Sequence, residues 1–514
     1  MAVKDRTYLL KRILSVFLLV FVVMLFISKD SYMHDLPNHN DSAWFFMCGK
    51  AWMNGMVPYV DFADSKGPLL WLVYGVGYLL APHSYLGVFW LSCIAWTLTL
   101  SLAWSGAALL LKRRAASFVA MLPVMLAGLC FLVHNETRCE DFAMPFVAFV
   151  VYALCRAMRG LRWKWWVDFM LGVSLMGTLL MKYNITAMLL PFVLLVWAVA
   201  QRRSKAQPAR SAVLAVLGAA AVAVPFVVWF AQKGCFVDFI NGYFLGTLRT
   251  TGSTGLLSAT LHSIASPSGI YAMTVFALSA LCLAWLLPCC RRMALVCCVW
   301  FFVVCAINSR PYYFDICSPL LLFLGVVVTD RCKAFHGRRT AVAAGVMAAA
   351  FLIVSNLWVH DLRHAEYGDF FTQDNAARHE FYSIECMMSQ VPEARAVYAT
   401  GVGFGVASGV LPACKYWALQ CGFNDSMLRQ QIDACLTGKA DFAIVQPELT
   451  EVIDRLKQAG WYAYDFTDGP YKVILMSSRR LSVRHGSCRM TNWDVLMKRQ
   501  PAFCRNAINE QQKR

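Results

Sequence analysis

Charge is scarce in this sequence. Asp, Glu, Lys and Arg make up 15% of its 514 residues, against 59% apolar side chains. An ordinary soluble domain carries about 25% charge, so a wholly soluble protein is excluded and a polytopic membrane protein is implied. Acids are scarcer than bases, 30 against 47, for a net charge of +17. Nucleic-acid binding is not the reason. From residue 360 onward 18 bases face 17 acids, and 21 of the other 29 bases fall in six short clusters between apolar runs. Also missing are an internal repeat and a small-x-small cleavage site after the first apolar run, at about 13 to 28. That run therefore reads as an anchor rather than a cleaved signal. Twenty cysteines are present without CxxC or Cys/His metal-site spacing, and no metal ligand is assigned. Most lie in apolar runs as small fillers, whereas pairing among Cys386, Cys414, Cys421, Cys435, Cys488 and Cys504 stays open.

The basic clusters are Lys4 to Arg12, Lys112 to Arg114, Arg156 to Lys164, Arg202 to Arg210, Arg291 with Arg292, and Arg331 to Arg339. If each marks a cytoplasmic loop, the N-terminus is cytoplasmic and the orientation of the chain follows. Residues 68 to 81 are too short to cross, and letting them cross would put the 112 to 114 triplet outside, so they read as interfacial or re-entrant. Spans are expected near 13–28, 85–111, 115–133, 142–155, 167–181, 185–200, 211–231, 270–288, 293–306, 315–329 and 340–358, about eleven crossings. Residues 1–359 then form a transmembrane domain with a first outer loop at 29–84. Residues 360–514 form an outer α/β domain, with strand-like AVYAT, KYWALQ, DFAIVQ and YKVILMS and helix-like DSMLRQQIDACL. GVGFGV at 401–406 reads as a glycine turn rather than a dinucleotide site, having no acidic partner downstream.

This topology collects ionisable residues on the outer face: Asp41, Asp61, Asp64, Lys66, Glu136, Arg138, Glu140, Asp141, Lys182 and Arg310. Charges beside spans pair or serve a site. Carboxylates supply a base for a hydroxyl, and lysines and arginines hold an anionic leaving group. Glu136 and Arg138 read as solvent-facing, and His39 and His134 as bystanders. Asp41 also suits a helix N-cap, Lys66 also suits snorkelling, and Trp44, Phe45, Phe46 and Trp52 suit an interfacial belt.

The first-loop segment NDSAWFFMCGKAWMNGMVPYVDFADSKGP resembles the signature of GT-C-fold glycosyltransferases that use polyprenyl-phosphate sugars, the group holding the dolichyl-phosphate-mannose protein mannosyltransferases and the lipid A aminoarabinose transferase. The matching parts are Asp41, Gly55, Pro58-Tyr59-x-Asp61 and Asp64-x-Lys66-Gly67-Pro68, with TRCEDFAMPF at 137–146, Lys182-Tyr183-Asn184 and Arg310-Pro311-Tyr312-Tyr313 as weaker matches. The resemblance covers about residues 1 to 360. It lacks the histidine often found before the aromatic pair. It implies a GT-C-like helical membrane fold and Asp41 as general base, with Glu140 or Asp141 as the second-loop acid. Tyr59, Asp61, Asp64, Lys66, Lys182, Arg310 and Tyr313 would line the substrate site. The implied reaction moves a hexose or pentose with inversion from a polyprenyl-phosphate donor to a hydroxyl of a glycolipid, polysaccharide or protein acceptor, on the periplasmic face of a bacterial inner membrane. Some members use a divalent cation near such carboxylates, and the sequence leaves that open. The rival reading is a transporter or flippase of lipid-linked glycans, which would place its ionisable groups nearer the bilayer midplane.

Overall fold

The computed structural model describes residues 3–32, 41–130, 137–246, 256–307, 311–363, 376–399, 404–418, 424–469 and 471–482. Eight of its helices are long and apolar enough to cross a membrane: α1 (Val3–Ile27), α4 (Leu86–Leu111), α6 (Cys139–Met158), α8 (Tyr183–Ser204), α9 (Pro208–Gln232), and the helices within Pro267–Leu286, Pro288–Ile307 and Arg338–Arg363. Shorter apolar helices are α3 (Pro68–Leu80), α5 (Arg114–Gly128) and α7 (Trp165–Leu179). The expected count of eleven thus divides into eight full-length helices and shorter ones. The 315–329 segment splits into a 3-10 helix, Pro311–Leu321, and an α-helix, Leu322–Arg331.

The chain forms two compact units, Met1–Ser28 with Ser92–Gln232 and Thr251–Trp358, and Lys29–Leu91 with Lys233–Thr250 and Val359–Arg514. In the first, helices pack through small residues. A Cβ on Gly172 of α7 would lie 1.8 Å from the Ala215 carbonyl oxygen of α9, and one on Gly218 would lie 1.9 Å from that of Phe169. Such contact needs glycine, because without a hydrophobic drive between spans the backbones themselves must approach.

The second unit carries a five-stranded sheet of order β2-β1-β3-β5-β4: β1 (Arg395–Ala399), β2 (Leu411–Pro412), β3 (Phe442–Val445), β4 (Tyr462–Phe466) and β5 (Val473–Ser477). β1 runs parallel to β2 and β3, whereas β5 is antiparallel to β3 and β4. All four β3 residues are buried, the apolar run of a strand covered on both faces. The Asp425–Leu436 helix is where DSMLRQQIDACL was read, and the Asn424 side chain caps it by accepting from Ser426 and Met427. KYWALQ differs from expectation: its described residues form no strand and meet β1 through the Tyr398 N–H, which donates to the Trp417 carbonyl at 2.6 Å, and the Tyr398–Ala418 bridge. β4 was missed because its residues are largely exposed and lack an apolar face.

The first loop folds into two helices, α2 (Asp41–Met53) and α3. Pro68 opens α3 at its first turn, where no intrahelical donor is needed. Cys414 and Cys435 are free thiols, Cys386 is buried, and Cys421, Cys488 and Cys504 lie outside the described residues.

Candidate active site

In the second unit, Asp41 is the first residue of α2 and half-buried. Helix N-termini leave backbone N–H groups unpaired and favour negative charge, so an acidic residue suits that position. After α2 the chain makes a tight turn. Tyr59 sits in the left-handed region at φ 67°, its N–H donates to the Phe62 carbonyl at 2.7 Å, and its hydroxyl donates to the Lys66 carbonyl at 2.8 Å. Its fully buried ring packs 4.6 Å from Trp71 and 5.5 Å from Phe239. Tyr59 is thus a wall beneath the loop rather than a surface contact.

Asp61 accepts the Val57 N–H at 2.7 Å and closes the turn. Asp64 accepts the Ser65 N–H at 2.6 Å. Both carboxylates therefore bond local backbone and give the loop its shape. Lys66 is half-buried, donates to the Ser65 hydroxyl at 3.2 Å, and holds its ammonium 5.5 Å from the centre of the Phe45 ring. An ammonium against an aromatic face is partly stripped of water, which suits it to an anion.

In the first unit, α6 opens with Arg138 at its N-cap and Glu140 and Asp141 in its first turn. Asp141 accepts the Arg138 N–H at 2.7 Å, a reach back from the third helical position that satisfies a backbone donor at the cap. Its other oxygen accepts the Trp96 indole N–H at 2.6 Å. Lys182, the N-cap of α8, lies 2.5 Å from Glu140 through Nζ and Oε1. All of these groups are buried. Arg138, read as solvent-facing, is buried too, because the cap sits inside the packed helix ends.

Sequence reasoning missed Asp315, which lies in the Pro311–Leu321 3-10 helix inside what reads as a span. It is buried, one of its carboxylate oxygens finds no hydrogen-bond partner, and Asp141, Arg138 and Glu140 act on it electrostatically. The only signal was an acid in an apolar run, which the span reading absorbed. Arg310 and Glu136 lie outside the described residues, and of Tyr313 the structure describes only the backbone. Among the described residues no group of three or more His, Cys, Asp or Glu is placed to hold a metal ion. Glu140 and Asp141 are already engaged by Lys182, Trp96 and the Arg138 amide.

Comparison places this geometry in a known fold. A family model described as dolichyl-phosphate-mannose-protein mannosyltransferase matches residues 65–229, a stretch that holds Lys66, Glu140, Asp141 and Lys182. No curated protein matches in sequence. Among solved structures, ArnT from Cupriavidus metallidurans in the apo state aligns at a TM-score of 0.60 and 11% identity, covering 92% of this chain and 98% of that one. The same protein bound to undecaprenyl phosphate aligns at 0.56 and 12%, covering 93% and 98%. The chain has the ArnT fold. At such low identity the fold is what the two share.

Proposed function

We propose that this chain is a membrane glycosyltransferase that moves a sugar from a polyprenyl-phosphate carrier to an acceptor hydroxyl on the outer face of the membrane. The observation that carries the reading is the buried Glu140–Lys182 pair beside Asp141 at the start of α6, in a chain whose fold matches ArnT bound to undecaprenyl phosphate. A buried ion pair adds little stability over an apolar pair, and ionisable groups beside membrane spans often serve a site. A phosphate leaving group is a ligand that such bases serve.

In the proposed single displacement, Asp41 takes the proton of the acceptor hydroxyl as its oxygen attacks the anomeric carbon. The bond from that carbon to the phosphate oxygen breaks, with inversion, and the electron pair leaves with the lipid phosphate. Lys66, Lys182 and Arg310 stabilise the phosphate anion. Glu140 or Asp141 orients the acceptor. Asp61 and Asp64 set the loop that carries Lys66, and Tyr59 supports it from below. General-base catalysis is worth roughly 10²- to 10⁴-fold.

The test is transfer of radiolabelled sugar from the lipid-linked pool of native membranes, comparing wild type with Asp41→Asn at matched expression. Loss of one labelled product by about a hundredfold or more, with the variant folded in detergent, is the expected result and identifies the acceptor. Unchanged labelling removes Asp41 as the base.

A further inference from the structure

A buried lysine on α2 needs an explanation that the reaction does not supply. Lys50 is 2% exposed and nine residues after Asp41 on the same helix. Its ammonium donates to the carbonyl oxygens of Gly405 and Ser408, both at 2.6 Å. From the other side, the Glu385 carboxylate, also 2% exposed, accepts the N–H of Gly405 at 2.5 Å and that of Ser408 at 2.7 Å. One short loop is thus gripped by a cation through its carbonyls and by an anion through its amides. The two grips come from chain segments more than 320 residues apart, α2 and the Ala376–Met388 helix. Gly405 permits this, with φ +96° and the Met47 side chain against it.

Burial pushes the Lys50 ammonium down to about 8 and raises the Glu385 carboxyl, each opposing its own ionisation. An apolar pair of the same volume would pack without that cost. What charge adds is alignment, because four hydrogen bonds fix one register of helix against loop. Other contacts agree with it. Trp44, one turn from Asp41, packs 5.9 Å from Trp417, the Ala63 N–H donates to the Lys415 carbonyl at 3.0 Å, and His83 Nδ1 lies 2.9 Å from the Ala407 carbonyl.

We propose that Lys50 and Glu385 are positioning residues, and that the sheet-bearing part of this unit serves to hold α2, and with it Asp41, in a fixed place. The proposal rests on the reading of Asp41 as the base. From Lys50 to Asp41 the helix is a rod of about 14 Å, so an anchor at Lys50 and a second at Trp44 set both its position and its tilt. A base displaced by about 1 Å loses rate steeply, whereas donor binding through phosphate contacts elsewhere is untouched.

The experiment compares full-length wild type, Glu385→Gln, Lys50→Met and the double variant in detergent. It reads sugar transfer from the native lipid-linked pool, binding of undecaprenyl phosphate by fluorescence, and amide hydrogen exchange. Transfer is expected to fall roughly tenfold or more in each single variant, with no further fall in the double. Undecaprenyl phosphate binding should hold within about twofold, and exchange should quicken over residues 42–49 but not over β3. Wild-type transfer in both single variants overturns the proposal, as does slowed transfer with unchanged exchange over 42–49. Should Glu385→Gln not be recovered as a monodisperse protein, Lys50→Gln, which keeps a donor for one carbonyl, gives the same comparison. Asp41→Asn that retains transfer removes the base assignment alone, since the clasp stands or falls on its own exchange signature.

Discussion

Lys182 Nζ lies 2.5 Å from Glu140 Oε1, joining the N-cap of α8 to the first turn of α6 inside the packed helices. Neither side chain is more than 7% exposed. Such a pair contributes little net stability over an apolar pair, but removing one partner strands the other charge at about 3 to 5 kcal/mol. Lys182→Met is therefore expected to lower the melting temperature in detergent sharply, and Glu140→Gln to do so less, since an amide can still bond the ammonium. The double variant Glu140→Gln/Lys182→Met should melt well above the sum of the single losses, because no charge is stranded. A strictly additive double-mutant cycle would mean that the two groups act independently in solution, contrary to this geometry. Transfer should be lost in all three, so stability and activity separate in the double variant.

Much of this arrangement was legible in the sequence. Apolar length located the helices, since it follows from the hydrocarbon thickness. Gly67-Pro68 announced the start of α3, and Glu140, Asp141 and Lys182 were legible because charge beside a span is rare. Three things were hidden. Asp315 looked like part of a span, and nothing local tells a carboxylate packed beside Asp141 from one at a helix end. The role of Lys50 left no trace, because its partners Gly405 and Ser408 are more than 350 residues away and bond through backbone, which carries no side-chain signature. β4 is held by pairing with β5 rather than by an apolar face of its own, so its pattern was too polar to notice.

Asp168, in the first turn of α7, accepts from the Trp163 indole, from the Trp197 indole of α8 and from the Ser211 hydroxyl of α9, each at 3.0 Å. One carboxylate thus pins three helices where α7 and α9 already touch through Gly172 and Gly218. Asp168→Asn keeps the shape but replaces one acceptor oxygen with an NH2 group that faces two of the three donors. At least one buried N–H or O–H is left unmatched, and the expected loss is about 2 to 4 kcal/mol. Yield of monodisperse protein and its melting temperature in detergent check this. Asp168→Glu is expected to recover part of the loss, since it keeps the acceptors and disturbs only their reach. A wild-type melting temperature for Asp168→Asn would show that the network carries no weight.

Glu380 opens a pH dependence in the sheet-bearing unit. It is 8% exposed, neither oxygen makes a well-formed hydrogen bond, and Gly469 sits so close that a Cβ there would overlap the carboxylate. The neighbouring Phe381, Phe404 and Tyr471 rings make the surroundings apolar. Burial pushes its carboxyl up to about 7, only partly relieved by the Tyr471 backbone. A carboxyl whose folded value lies above its unfolded value is bound to its proton more tightly in the folded state. Stability from this group is therefore full below about pH 4.5, declines as pH rises towards 7, and stays at its lower level above that. Glu380→Gln keeps the neutral shape at every pH. Its melting temperature should match wild type near pH 4.5 and exceed it increasingly up to about pH 7.5, by the equivalent of about 1 to 2 kcal/mol. Melting curves of both proteins across that range decide the matter: a difference that does not change with pH would show that Glu380 is ionised throughout, and that water reaches it.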